Sequence, residues 1–328
     1  MYIKRNYGFW MTFNWSKWPF IYGLLYGAVI CAVSYAFHLN ISLPWGPLGV
    51  IGIAVAFYLG FKNNSSYDRT WEARKIWGGI VNDSRTFGAS VMAFVQGTNA
   101  TEIKKELIYR HVAWVTALRF QLRLSRPWEH TENRLNGLYS PQVCEEYYQM
   151  LDGELAKFLS SDEIEKLGKK GNLATQILKI QSERLQELKD EGYFEDFRHM
   201  EFHKIVGNLY AGQGKSERIK NFPFPRQYAS VALWLAMVFC AIVPFGLIDI
   251  FKDSRVEILW ICPFLNGLIT WVFFLMEKIG DYSENPFEGT YNDVPITSIS
   301  RSIEIDLREM LDETDIPSPL EDVHGFLL

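Results

Sequence analysis

His199 and His203 stand four residues apart beside Asp196 and Glu201, a spacing that would put both imidazoles on one face of a helix as a metal-binding pair. A working centre needs a third protein ligand, and an HExxH hydrolase needs its glutamate directly after the first histidine; this stretch reads HMEFH and offers neither. The pair therefore reads as a polar helix face, with a metal site as the competing reading. Cys31, Cys144, Cys240 and Cys262 show no CxxC or metal-ligand spacing, and three of them lie in apolar blocks, so they read as small buried hydrophobes. The chain has no glycine-rich phosphate loop, nucleophile elbow or usable pair of catalytic carboxylates. A net charge of −5 without a dense basic stripe argues against a nucleic-acid partner. The expectation is a protein with no metal, no cofactor and no catalytic residues.

The elements around these residues are sharply segregated. Four apolar blocks, 20–39, 43–61, 228–248 and 258–276, contain no Asp, Glu, Lys or Arg and are each about long enough to cross a bilayer as a helix. Many of the 11 tryptophans fall at block edges, where amphipathic rings favour the membrane interface. Pro44 and Pro47 suit a helix start for the second block, while Pro244 should kink or end the third. The first 18 residues lack the apolar core and small-residue cleavage site of a signal peptide, so the first block is expected to stay in the mature chain.

Residues 62–227 replace continuous hydrophobicity by amphipathic periodicity. Within 103–122, Leu107, His111, Trp114, Val115 and Leu118 recur every three or four residues and predict a helix with one apolar face. Helices are also expected near 141–159, 161–191 and 194–210, with loops at 97–101 and 126–140. Period-2 alternation is absent, so the expected class is all-α. Basic residues flank the blocks on one side, with Lys4, Arg5 and Lys17 before the first, Lys62, Arg69, Arg74 and Lys75 after the second, and Lys215, Arg218, Lys220 and Arg226 before the third. That asymmetry puts both termini in the cytoplasm. The mixed charges of 249–257 weaken it only slightly. The resulting division is a cytosolic segment 1–19, two membrane helices in 20–61, a cytosolic helical region 62–227, two membrane helices in 228–276 and a cytosolic segment 277–328.

Ile53, Phe57 and Phe61 recur every four residues and project from one face of the second block as a column of large apolar side chains. Gly49, Gly52, Ala54, Ala56 and Gly60 leave much of the remaining surface small, so neighbouring helices could approach closely. Either the column packs in a core or copies of it build a hydrophobic constriction. No helix breaker follows Phe61, and Arg69, Glu72 and Lys75 could pair at a spacing of three, so one long helix should leave the membrane.

The stretch LGFKNNSSYDRTWEARKIWG (59–78) resembles the second-helix signature of bacterial bestrophins. Further matching pieces follow in order: RHVAW (110–114), FPFP (222–225), VPFG (243–246), NPF (285–287) and SIEIDL (302–307). The resemblance runs over roughly 1–311. It implies a homopentamer in the lipid bilayer around one axial pore, with four membrane helices per subunit continuing into a cytosolic helical bundle. Counted back from Arg69, Ile53, Phe57 and Phe61 fall on the family's pore-neck positions, and alignment on FPFP puts Met200 at its cytosolic aperture. His199 and His203 would then line the vestibule. Animal members bind calcium through an acidic run after NPF; here that run is EGTYND (288–293), with only Glu288 and Asp293 remaining, so calcium activation does not carry over.

What the resemblance implies is an ion channel for small monovalent ions, anions such as chloride favoured, in an inner or plasma membrane. Two alternatives stay open: a cation channel for sodium on the same fold, and a membrane-embedded metal enzyme or carrier using the His199 and His203 region. The blocks hold no carboxylate or arginine of the kind proton-coupled carriers use, which favours a channel.

Overall fold

A computed structural model of the chain describes residues 1–129, 150–168, 170–252, 259–290 and 292–327. Cys144, most of the loop at 126–140, part of the expected helix at 141–159 and much of 249–257 lie outside the described residues. The helices are α1 (Phe9–Ala36), α2 (Trp45–Phe94), α3 (Ala100–Arg123), α4 (Leu151–Leu155), α5 (Ser161–Leu167), α6 (Leu173–Asp190), α7 (Asp196–Asn221), α8 (Arg226–Phe251), α9 (Cys262–Tyr282) and α10 (Ile296–Met310). Two isolated bridges, Tyr2 with Phe326 and Val323 with Phe326, are the extent of β pairing among the described residues.

One compact unit comprises residues 4–68 and 224–284. It holds α1, the first half of α2, α8 and α9, and the helices here are long and apolar enough to cross a membrane, so the chain is a multi-pass membrane protein. Small residues let these helices touch. Gly23 and Gly27 of α1 lie against Asn266, Gly267 and Thr270 of α9, and Asn266 Nδ2 donates to the Gly23 carbonyl at 2.6 Å. Ser16 Oγ accepts from Trp271 Nε1 at 2.9 Å. Gly52 of α2 meets the ring of Phe239 on α8, which in turn packs on Phe273 of α9 at 4.7 Å. Helix α1 begins at Phe9, well before the apolar block at 20, and carries Pro19 inside it. Pro244 does not end α8, which runs on to Phe251.

The second unit comprises residues 1–3, 69–223 and 285–328 and is built around α3. Only one apolar face of this helix was expected, yet it is buried on nearly all sides, including Arg110, Thr116, Arg119 and Arg123. Several of its polar side chains find partners inside. Arg110 reaches Glu106 and Glu163 at 2.9 Å, Trp114 Nε1 donates to Gln213 Oε1 at 3.0 Å, and His111 Nε2 meets Ser84 Oγ at 2.9 Å. The single helix expected over 161–191 is two: α5, opened by a capping box between Ser160 and Glu163, and α6, opened by Asn172 accepting from the Thr175 amide at 3.0 Å. Gly168 and Gly171 lie between them, poor helix formers beside a strong cap. Helix α7 continues past 210 to Asn221, where Pro223 holds Phe222 extended at φ −112°. Arg69 and Glu72 do not pair along α2 as expected. Arg69 donates to the Ile219 and Phe222 carbonyls at the end of α7, and Glu72 takes Arg218.

His111 is fully buried and stacks on Phe87 at 4.9 Å, and this burial pushes its pKa down to about 3. The folded chain therefore binds fewer protons here than the unfolded chain below about pH 6.5. Stability from this site is complete above that pH and is lost progressively as pH falls toward 3. At pH 5 the loss is about 2 kcal/mol. Thermal unfolding in detergent should show the gap between wild type and His111→Gln narrowing from pH 7 to pH 5; a constant gap contradicts the assignment.

Candidate functional site

The first half of α2 has two opposed stripes. Leu48, Gly52, Val55, Leu59, Lys62 and Ser66 are buried. Ile53, Phe57 and Phe61 are 74%, 67% and 59% exposed. At 100° per residue the centres of the two stripes lie about 180° apart on an ideal helix. The chain's own fold thus leaves the column uncovered, with the Phe57 and Phe61 rings edge to face at 4.5 Å. Beside it, a Cβ added to Gly60 would meet nothing within 4 Å among the described residues, none of which requires that glycine to be small.

Lys62 continues the buried stripe as a charge. Its Nζ lies 2.7 Å from Glu277 Oε1 and 3.7 Å from Asp281 Oδ1, with 1% of the lysine side chain exposed. Arg226 meets the fully buried Glu284 at 2.6 Å. Sequence reasoning counted Lys62 among the orienting charges and missed this cluster. Two signals mark it: a lysine in register with Val55 and Leu59, and two carboxylates one turn apart just after the fourth block.

Met200 is 64% exposed on α7 and shares a face with Phe197, 87% exposed, and Lys204. Its neighbour His199 stacks on Phe194 at 6.2 Å, and burial, followed by the nearby His203, lowers its pKa. Among the described residues no three His, Cys, Asp or Glu side chains converge as a metal site.

The acidic run after Asn285-Pro286-Phe287 turns inward. Asp293 accepts from Arg123 Nη1 at 3.2 Å, Thr290 Oγ1 at 2.6 Å and the Gly289 amide, while Glu288 accepts from Asn285 Nδ2 at 2.8 Å. Burial raises the pKa of Asp293, and the Arg123 guanidinium pulls it back. These carboxylates are taken up by donors of the chain itself. Tyr291 lies outside the described residues.

Known proteins resemble this chain along most of its length. Voltage-dependent anion channel-forming protein YneE of Escherichia coli (strain K12) is 27% identical over 293 residues, 89% of this chain and 85% of that protein. Voltage-dependent anion channel-forming protein RSc3414 of Ralstonia nicotianae is 27% identical over 292 residues, 88% of this chain and 85% of that one. The crystal structure of a bacterial bestrophin homolog from Klebsiella pneumoniae has the same fold, with a TM-score of 0.75 at 22% identity over 90% of this chain and 98% of its own. A family model described as Bacterial/Fungal Bestrophin protein matches residues 18–309. With that match running from α1 into α10, the chain belongs to the bacterial and fungal bestrophin family.

Proposed function

We propose that the chain is an anion channel, a homopentamer in which the Ile53, Phe57 and Phe61 columns of α2 meet as a hydrophobic neck and Met200 rings a cytosolic aperture. The carrying observation is the column itself, three large apolar side chains held outward while the opposite stripe of α2 is packed. Gly60 supports the same reading, since a partner helix would give its smallness a use. Relatives named as anion channel-forming proteins favour small anions such as chloride as the permeant ions. The assembly would lie in an inner or plasma membrane with both termini cytoplasmic. Residues 20–61 and 228–276 would sit in the bilayer, and 1–19, 62–227 and 277–328 in the cytosol.

Purified protein in a planar bilayer under a tenfold potassium chloride gradient should conduct, with current reversing near the chloride equilibrium potential. Reversal near the potassium potential would make this a cation channel of the same fold. Silence from protein that native mass spectrometry finds as five copies would remove the channel reading, and a monomer or dimer as the largest species would remove the pentamer.

A further inference from the structure

We propose that the buried Lys62–Glu277 ion pair is the positioning contact of the neck, holding α2 at the rotation that points Ile53, Phe57 and Phe61 away from the chain's own core. The inference rests on the neck reading above.

Lys62 follows Phe61 directly, yet its ammonium belongs to the other side of the helix. It extends the stripe of Leu48, Val55 and Leu59, the stripe centred opposite the column. Contact at that stripe therefore fixes where the column points. Apolar contacts alone are a weak rotational stop, because cores tolerate hydrophobic repacking when volume is kept. A buried charge is a stronger one. Rotation of α2 by a fraction of a turn would carry the ammonium off Glu277 and separate two largely buried charges from each other.

The partner surface is built for this contact. Glu277 and Asp281 are one turn apart on α9 and converge on the same ammonium. Between them Gly280 brings the α9 backbone against α2, where any Cβ would run into Asn63 and approach Lys62 Cγ at 3.4 Å. The Lys62 stem is thus confined between the helices, and its head reaches the two carboxylates from one direction. The acidic side of this segment continues to Glu284, which holds Arg226 at the start of α8. Helices α2 and α8 are both tied by charge to the cytosolic end of α9.

The test is chloride flux from proteoliposomes, read only on protein that elutes as the wild-type oligomer. Glu277→Gln keeps the size of the side chain and removes the charge that holds Lys62. It should raise flux roughly two- to thirtyfold, the span of free-energy change seen for couplings of this kind. The charge exchange Lys62→Glu with Glu277→Lys should return flux toward wild type. In a background where Ile53, Phe57 and Phe61 are all alanine, Glu277→Gln should change nothing further, because no column is left to position. Wild-type flux in Glu277→Gln overturns the proposal. So does an effect of equal size in the triple-alanine background, which would mean the pair acts by its own charge. Should Glu277→Gln not assemble, Glu277→Asp keeps the charge and shortens its reach; raised flux supports the proposal and wild-type flux overturns it. The neck reading fails separately, if the triple-alanine protein alone assembles and conducts as wild type does.

Discussion

Replacing Ile53, Phe57 and Phe61 together with alanine should raise anion flux by about tenfold or more, each tenfold step corresponding to about 1.4 kcal/mol off the barrier. A ring of large apolar side chains narrows a pore and offers a permeating ion no hydrogen-bond partner, so the ion crosses a poorly wetted stretch. Alanine widens that stretch and lets water fill it. Packing in a core would give the opposite outcome, since truncating buried Ile or Phe costs roughly 2 to 5 kcal/mol per site and three such losses would abolish assembly. The exposure of all three side chains in the single chain predicts little loss of subunit stability. Size-exclusion profiles run beside liposome flux separate the cases. An intact oligomer with raised flux is the expected result; aggregation, or assembly with unaltered flux, contradicts it.

Arg123→Leu should be among the most destabilising single changes in the second unit. Arg123 and Asp293 are both buried and meet at 3.2 Å, tying the end of α3 to the segment before α10. Removing the guanidinium leaves a buried carboxylate that keeps the Thr290 hydroxyl, the Gly289 amide and the nearby Met1 amino group. Breaking one side of such a pair costs about 3 to 5 kcal/mol. Replacing both partners, as in Arg123→Leu with Asp293→Leu, should recover much of the loss because no charge stays stranded. Thermal unfolding in detergent is the measurement. A single variant that melts with wild type would show that the pair contributes nothing.

The helices legible in the sequence are those whose signal is local. Continuous apolar blocks announce membrane helices because a backbone in lipid must satisfy itself. The run after Phe61 has no glycine or proline until Gly78, so its continuation as α2 could also be read directly. The missed features depend on partners far along the chain. Arg69 and Glu72 have well-spaced neighbours on their own helix, yet α7 offers open carbonyls at Ile219 and Phe222 and a charge at Arg218. Arg110 and Arg123 resemble solvated positions on α3 until Glu163 and Asp293 arrive from 53 and 170 residues away. Lys62 was visible as a basic residue at a membrane edge, but its burial depends on Glu277. Conversely, the column at Ile53, Phe57 and Phe61 could be found by spacing alone, while only the fold reveals that its own chain leaves it uncovered.

The most direct test of the pore face is chemical. In a background with Cys31, Cys144, Cys240 and Cys262 replaced by alanine, Phe57→Cys should place a ring of thiols across the conducting path. A charged methanethiosulfonate reagent, applied during bilayer recording and shown by mass spectrometry to have reacted, should change the current through Phe57→Cys channels and leave the cysteine-free background unaffected. Full modification of the introduced thiol with conductance and selectivity unaltered would put the conducting path elsewhere and contradict α2 as its lining.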